Sequence, residues 1–302
     1  MDALDVSRQP VAIVGATGFL GRSLARRLAA AGVPVTGISR AAHGPAADVA
    51  RWQTLDSIDL SGHAAVINLA GEPIDRRWTA EHKREFHASR VGTTHRLVEH
   101  LGGLEPSVRP GVLVNGSAVG FYGHRGDEIL DESAGPGEGY LAELCAEWEQ
   151  AAVGAEVFGL RVVRLRSGVV LGKGGPAFEK LRRAFLSGLG GRLGSGRQWM
   201  PWIHLDDLTG AVLHALATPE LSGPVNGCSP LAERNANFTR KLAAALHRPA
   251  LLPVPAFALK LALGGFGGAL LGSTHAVPAA LDRSGYAFRF PKLEDALADL
   301  LA

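Results

Sequence analysis

Gly15-Ala16-Thr17-Gly18-Phe19-Leu20-Gly21 joins an apolar run, residues 11–14, to a helix-like stretch over residues 22–31. No other feature narrows the fold as much. In that setting Gly15 permits a tight turn out of a strand, Gly18 lets the backbone approach a pyrophosphate, and Gly21 lets the helix pack closely on the sheet. The helix N-terminus then offers its unpaired N–H groups to an anion. Thr17, Phe19 and Leu20, carried on the same loop and first turn, become candidate contacts. Taken alone, the run also fits a glycine-rich strand-to-helix turn with no ligand.

The rest of the first half keeps the same rhythm. Residues 34–38, 64–69, 112–115 and 162–165 read as strands, residues 79–101 as a long helix, and helix resumes at Tyr140 after a loop over residues 123–139 that is rich in glycine and acid. Strand alternating with helix implies a mostly parallel sheet covered on both faces. Beyond about residue 175 the alternation loosens. Residues 177–189 look helical, 190–196 form a glycine-rich loop, and 203–217 run from a strand into a helix. Residues 238–246 and 293–301 are amphipathic helices. The expected division is a nucleotide-binding part over 1–175, with returns from 203–230, and a smaller substrate-side lobe over 176–302.

The 31 basic and 29 acidic side chains nearly cancel, which argues against a nucleic-acid partner. Cys145 and Cys228 give neither a disulfide framework nor zinc spacing, and the eleven histidines form no HxH or HxxxH pair, so no metal is expected. Residues 1–5 lack the basic start and apolar core of a secretion signal, and the cytoplasm is the expected compartment. The most lipid-like stretch, residues 253–272, is interrupted by Lys260 and four glycines. It reads as a buried helix and a loop, with no membrane contact.

The second strand ends on Ser39-Arg40. In dinucleotide folds an acid at that place takes the ribose hydroxyls, whereas an arginine accommodates a 2′-phosphate. NADP(H) is therefore expected over NAD.

Asn68-Leu69-Ala70-Gly71 and Tyr122-Gly123, together with the glycine run, resemble the extended short-chain dehydrogenase/reductase superfamily. Ser89-Arg90, Trp148-Glu149, residues 166–175 and 188–198, Trp202-Ile203-His204, and a C-terminal block over 248–302 narrow the resemblance to its epimerase-like branch, the atypical SDR39U1-type epimerases with a DUF1731-like block. The resemblance implies a Rossmann-type doubly wound α/β fold with a smaller C-terminal substrate lobe. It also implies that Leu69, Ala70 and Gly71 run along the cofactor with Glu72 beside it, that Glu85 and Arg90 occupy cofactor-contacting places, and that Val170 meets the nicotinamide end. Glu85 and Arg90 are five residues apart, so on a regular helix they cannot point the same way. The branch includes relatives whose labels are linked to cell division.

The superfamily uses a tyrosine as acid/base and a lysine four residues later that lowers its pKa. Here Tyr140 is followed at that spacing by Leu144, and residues 123–159 contain no lysine. Ala118 stands where the wider superfamily carries serine or threonine, leaving Ser117 as the nearest hydroxyl. Tyr140 and Ser117 are thus the candidate catalytic residues, with a structural tyrosine at a helix start as the alternative. Tyr122 reads as packing, Asp206 and Asp207 as caps of the helix that starts there, and Asp127, Glu128, Asp131 and Glu132 as solvated charge. Arg192 and Arg197, among glycines, suit an anionic small-molecule substrate such as a nucleotide-sugar phosphate, with a flexible surface loop as the alternative. A homodimer through residues 79–101 and 140–152 is a further expectation. Two readings follow: an NADP(H)-dependent epimerase-like oxidoreductase, and a non-catalytic NADP(H)-binding sensor or regulatory protein.

Overall fold

The computed structural model describes residues 9–41, 47–250 and 252–302. The expectation about residues 1–5 lies outside them. In chain order the first strands are β1 (Val11–Val14), β2 (Val35–Ile38), β3 (Arg51–Gln53), β4 (Ala65–Asn68), β5 (Val112–Ala118), β6 (Ile129–Leu130) and β7 (Arg161–Ser167). Six follow: β8 (Val169–Leu171), β9 (Trp199–Met200), β10 (Trp202–His204), β11 (Gly223–Gly227), β12 (Glu233–Arg234) and β13 (His275–Ala276). The helices of the first half are α1 (Phe19–Ala30), α2 (Ala80–His87), α3 (Thr93–Gly103) and α4 (Tyr140–Val153). The remaining ones are α5 (Pro176–Leu186), α6 (Leu205–Ala217), α7 (Asn235–Ala245), α8 (Ala256–Leu263), α9 (Gly265–Leu270), α10 (Ala279–Arg283) and α11 (Leu293–Leu301).

Seven strands form the main sheet in the order β11-β7-β5-β4-β1-β2-β3, every pair parallel. β1 is the pivot: Val11 sits in register with Val35 of β2 on one side and Ala65 of β4 on the other. Strand order reverses there, which opens a crevice at the carboxyl ends of β1 and β4. Alternate residues of β1 serve opposite faces. Val11 and Ile13 join a core with Leu24 and Leu28 of α1 and Leu208 and Val212 of α6. Ala12 and Val14 join a second core with Leu97 and Leu101 of α3. Burying each such leucine contributes about 1.5–3 kcal/mol, and the two layers together hold the crevice open at a fixed edge.

A third core, built from Phe178, Phe185, Trp202, Phe238, Leu242, Leu293 and Leu297, gathers α5, α7 and α11 on the carboxyl side of the sheet. The helix expected over residues 79–101 is interrupted by a π turn, Ala88–Gly92, between α2 and α3. Its extra residue brings Phe86 and Val91, five apart, onto the same buried cluster.

The stretch 253–272 departs from the buried helix expected of it. α8 and α9 are separated by Gly264 at φ +59, and only Leu259 and Gly267 within them are buried. A helix that is apolar on every side but touches the protein on one must leave the other side in solvent.

Candidate functional site: a cleft at the strand crossover

Gly15 leaves β1 at φ +84, and a side chain there would meet the Leu69 carbonyl at 3.1 Å. Gly21 is tighter still, with a Cβ falling 2.3 Å from the Gly15 oxygen. Gly21 is required by contact and Gly15 by its positive φ, and together they bring the α1 N-terminus against the β1 turn. Gly18 caps α1 with no side-chain hydrogen bond, so the first-turn N–H groups carry no capping side chain and the positive end of the helix faces the crevice.

The crevice is a cleft of about 410 Å³, lined by Gly15, Thr17 and Gly18 from the glycine turn, by Ser39 and Arg40 after β2, and by Leu69, Ala70, Gly71 and Glu72 after β4. Thr54, Leu55 and Asp56 close one end, and Ser89, Thr93 and Arg96 form a further wall. Sequence reasoning missed these six. The first three follow a strand of only three residues, too short for alternation to reveal, and the others depend on where the π turn aims α3. Arg40, its side chain 93% exposed, reaches across to Glu72 with a 2.8 Å ion pair, and Arg96 meets Asp56 at 2.5 Å.

Phe19, Leu20, Gly21, Glu85, Arg90 and Val170 stand apart from that lining. Phe19 packs against Gly172 and Gly175. Leu20 and Val170 lean on the main core. Arg90 donates to the Glu72 carbonyl at 2.9 Å, while the Ser89 hydroxyl accepts from the Glu72 N–H at 3.0 Å. Together they fix the backbone that carries Glu72. Glu85 pairs with Arg76. Contrary to the expectation from a regular helix, Glu85 and Arg90 both engage the segment 72–76, because the π turn between them brings a five-residue spacing round to one side.

Tyr140 opens α4. Its hydroxyl donates to the Lys83 carbonyl at 3.2 Å, its ring lies 5.2 Å from that of Trp78, and Lys83 Nζ stands 4.4 Å from the ring centroid. Burial pushes its phenol above the ordinary value, and the nearby Arg90 charge only partly opposes this. Ser117, the other candidate, is buried, and its Oγ donates to Glu149 Oε1 at 2.7 Å.

Glu149 belongs to a buried network that sequence reasoning did not assemble. Arg166 grips both of its oxygens, at 2.8 Å each, and donates to the Tyr122 hydroxyl at 2.9 Å. That hydroxyl in turn donates to Asn226 Oδ1 at 2.7 Å, and burial pushes its pKa up to about 12. Glu132, expected in solvent, is buried and accepts the N–H groups of Asn226 and Ala280 at 3.0 Å each. Asp206 and Asp207 do not cap α6. His204 Nδ1 accepts the Asp206 N–H at 3.1 Å, and the Asp207 carboxylate holds the N–H groups of Arg289 and Phe290. Both cysteines are buried, and burial drives the Cys145 thiol up to about 11, which leaves it no thiolate at neutral pH.

Residues 11–226 match the family model described as the NAD dependent epimerase/dehydratase family, and residues 254–300 match DUF1731, a domain of unknown function. The chain is 37% identical over 308 residues to the chloroplastic epimerase family protein SDR39U1 homolog of Arabidopsis thaliana, covering 98% of this chain and 87% of the relative. It superposes on human epimerase family protein SDR39U1, crystallised with NADPH, at TM-score 0.88 and 33% identity, with 97% and 99% of the two chains covered. The nucleoside-diphosphate sugar epimerase of Corynebacterium glutamicum matches at TM-score 0.79 and 33% identity, over 97% of this chain and 58% of that one. With its glycine turn, its strand crossover and its C-terminal block all in the matched regions, the chain belongs to the NAD dependent epimerase/dehydratase family, in the SDR39U1 branch that carries DUF1731.

Proposed function

We propose that the chain binds NADP(H) in the cleft at the β1–β4 crossover and acts as an epimerase-like oxidoreductase on a hydroxyl or carbonyl carbon. The observation that carries this is the uncapped α1 N-terminus over Gly15 and Gly18 with Arg40 at the mouth of the same cleft, and the NADPH in the human relative agrees with it. The helix end and the glycine-turn backbone receive the pyrophosphate, Arg40 with Ser39 receives the 2′-phosphate, and the 69–72 backbone borders the nicotinamide half. Bound nicotinamide supplies hydride transfer. Residues 1–175 with the 203–230 returns form the cofactor part and 176–302 the substrate side, where an anionic sugar nucleotide is the substrate class suggested by the Corynebacterium relative. Homodimer contacts through α2, α3 and α4 go with this reading.

Tyr140 is the proton-moving group in it, held by Trp78 and α2. A second reading, a cofactor-responsive regulatory protein, is favoured by one observation: the Tyr140 hydroxyl is tied to a backbone carbonyl and its phenol is harder to ionise than usual. The experiment separates them. NADPH-loaded protein is given a fractionated metabolite extract, and loss of nicotinamide fluorescence is followed beside Tyr140→Phe. Oxidation by one fraction, at least about a hundredfold slower in the variant, supports the oxidoreductase. Equal rates remove Tyr140 from the chemistry. NADPH that binds but is never consumed rules out a net reductase and leaves a redox-neutral epimerase, which returns its hydride to the substrate, beside the regulatory reading, toward which the weight then moves.

A further inference from the structure

Between Lys180 and Leu205, and again between Arg234 and Leu281, the sequence carries no Asp or Glu, although the whole chain holds 29 acids against 31 bases. The overall balance therefore conceals a strong segregation of charge. The fold brings the two acid-free segments together. Leu193 bridges Val254 in parallel, the Gly194 N–H donates to the Val254 carbonyl at 2.9 Å, and the Val254 N–H donates to the Arg192 carbonyl at 2.8 Å.

Their surface is unusually apolar as well as basic. Leu189, Leu252, Phe257 and Leu261 are between 73% and 79% exposed. Phe257 and Leu261 are four apart on α8, so they share one face, and Lys260 stands exposed beside them. Arg183 and Arg192 are exposed on the neighbouring segment, and none of these three cations has a carboxylate partner among the described residues.

We infer that α8 and the adjoining 189–192 loop dock this chain on an anionic phospholipid surface, lying on the bilayer and not spanning it. The chemistry selects that occupant. Exposed phenyl and leucyl side chains enter the acyl boundary while unpaired cations beside them meet phosphate headgroups, the arrangement of an interfacial helix. A second copy of this chain fits poorly, because a two-fold contact would set the same unpaired cations against one another. No described helix is long and apolar enough to cross a membrane, consistent with a surface anchor. This inference does not depend on the proposed reaction.

The test is flotation of the full chain with phosphatidylglycerol–phosphatidylcholine vesicles and with phosphatidylcholine vesicles alone. The chain should float with the first and not the second, and should release as salt is raised. Phe257→Glu with Leu261→Glu should weaken flotation at least about tenfold while NADPH titration shows a folded protein. If that variant does not fold, Lys260→Glu takes its place, with a smaller loss expected in the same direction. Failure to float with either vesicle overturns the inference, as does equal flotation on both. Concentration-dependent dimers in lipid-free sedimentation, abolished by Phe257→Glu, would give the face to a second copy instead.

Discussion

Two stretches of one sheet edge make opposite use of polar groups. At the carboxyl ends of β1 and β4 the chain leaves helix N–H groups uncapped and pairs its charges only at the rim, where Arg40 meets Glu72 and Arg96 meets Asp56. At the ends of β5, β7 and β11 it satisfies them internally, with Glu149, Arg166, Tyr122 and Asn226 linked in a row under cover. A charged group removed from water must find its partners inside the protein, whereas a group meant for a ligand must be left without one. The first stretch is thus open to an anion, and the second is a joint: Glu132 and Asn226 tie it to α10 and to the chain after β13.

The widest gap between the two stretches is in stability. Glu149→Ala strands Arg166, whose side chain is 3% exposed, and should cost about 3–5 kcal/mol. Arg40→Ala breaks a rim pair in solvent and should cost under about 1 kcal/mol. Urea denaturation of both variants measures this. Similar losses would mean that the buried row is not the stronger joint, and the contrast between the two stretches would fall.

The open stretch was the more legible of the two in the sequence. Gly21 leaves no room for a Cβ and Gly15 turns at φ +84, so the spaced glycines stand out in the sequence, and Arg40 follows just after the next strand. The buried row was hidden because its members lie far apart in sequence, Glu132 from Asn226 by 94 residues, and a charge looks the same on paper whether solvated or enclosed. Asp207 reads as a cap in the sequence for that reason. The π turn was also unreadable by a 3.6-residue rule, yet it decides that Glu85 and Arg90 reach the same segment. Phe86 and Val91, apolar and five apart, were its one available trace.

At the rim the effect should appear in cofactor choice. Glu72 holds Arg40 with an ion pair that a 2′-phosphate must displace. Arg40→Ala should weaken NADPH at least about tenfold and leave NADH nearly unchanged, since a charge-assisted contact contributes about 1.5–3 kcal/mol. Glu72→Gln frees the guanidinium and should tighten NADPH by about two- to fivefold, again with little change for NADH. Fluorescence titration with both nucleotides decides it. Equal losses for the two in Arg40→Ala would take the 2′-phosphate away from this residue.

The smallest effect is a pH dependence that belongs to the closed parts of the fold. Burial holds His63 and His204 below the ordinary imidazole range, with the carboxylates of Asp206 and Asp299 partly opposing it at His204. The unfolded chain takes up these protons near pH 6.5, the folded chain only at lower pH. Stability is therefore complete above about pH 6.5 and falls as pH drops below it, levelling once the folded imidazoles also titrate. His204 loses most by protonation, because its Nδ1 must stay bare to accept the Asp206 N–H at the start of α6. His204→Asn keeps an acceptor at that cap and removes the titration. Its denaturation midpoint should fall less between pH 8 and pH 5.5 than that of the parent chain, and an unchanged slope would show that the cap at α6 does not sense protons.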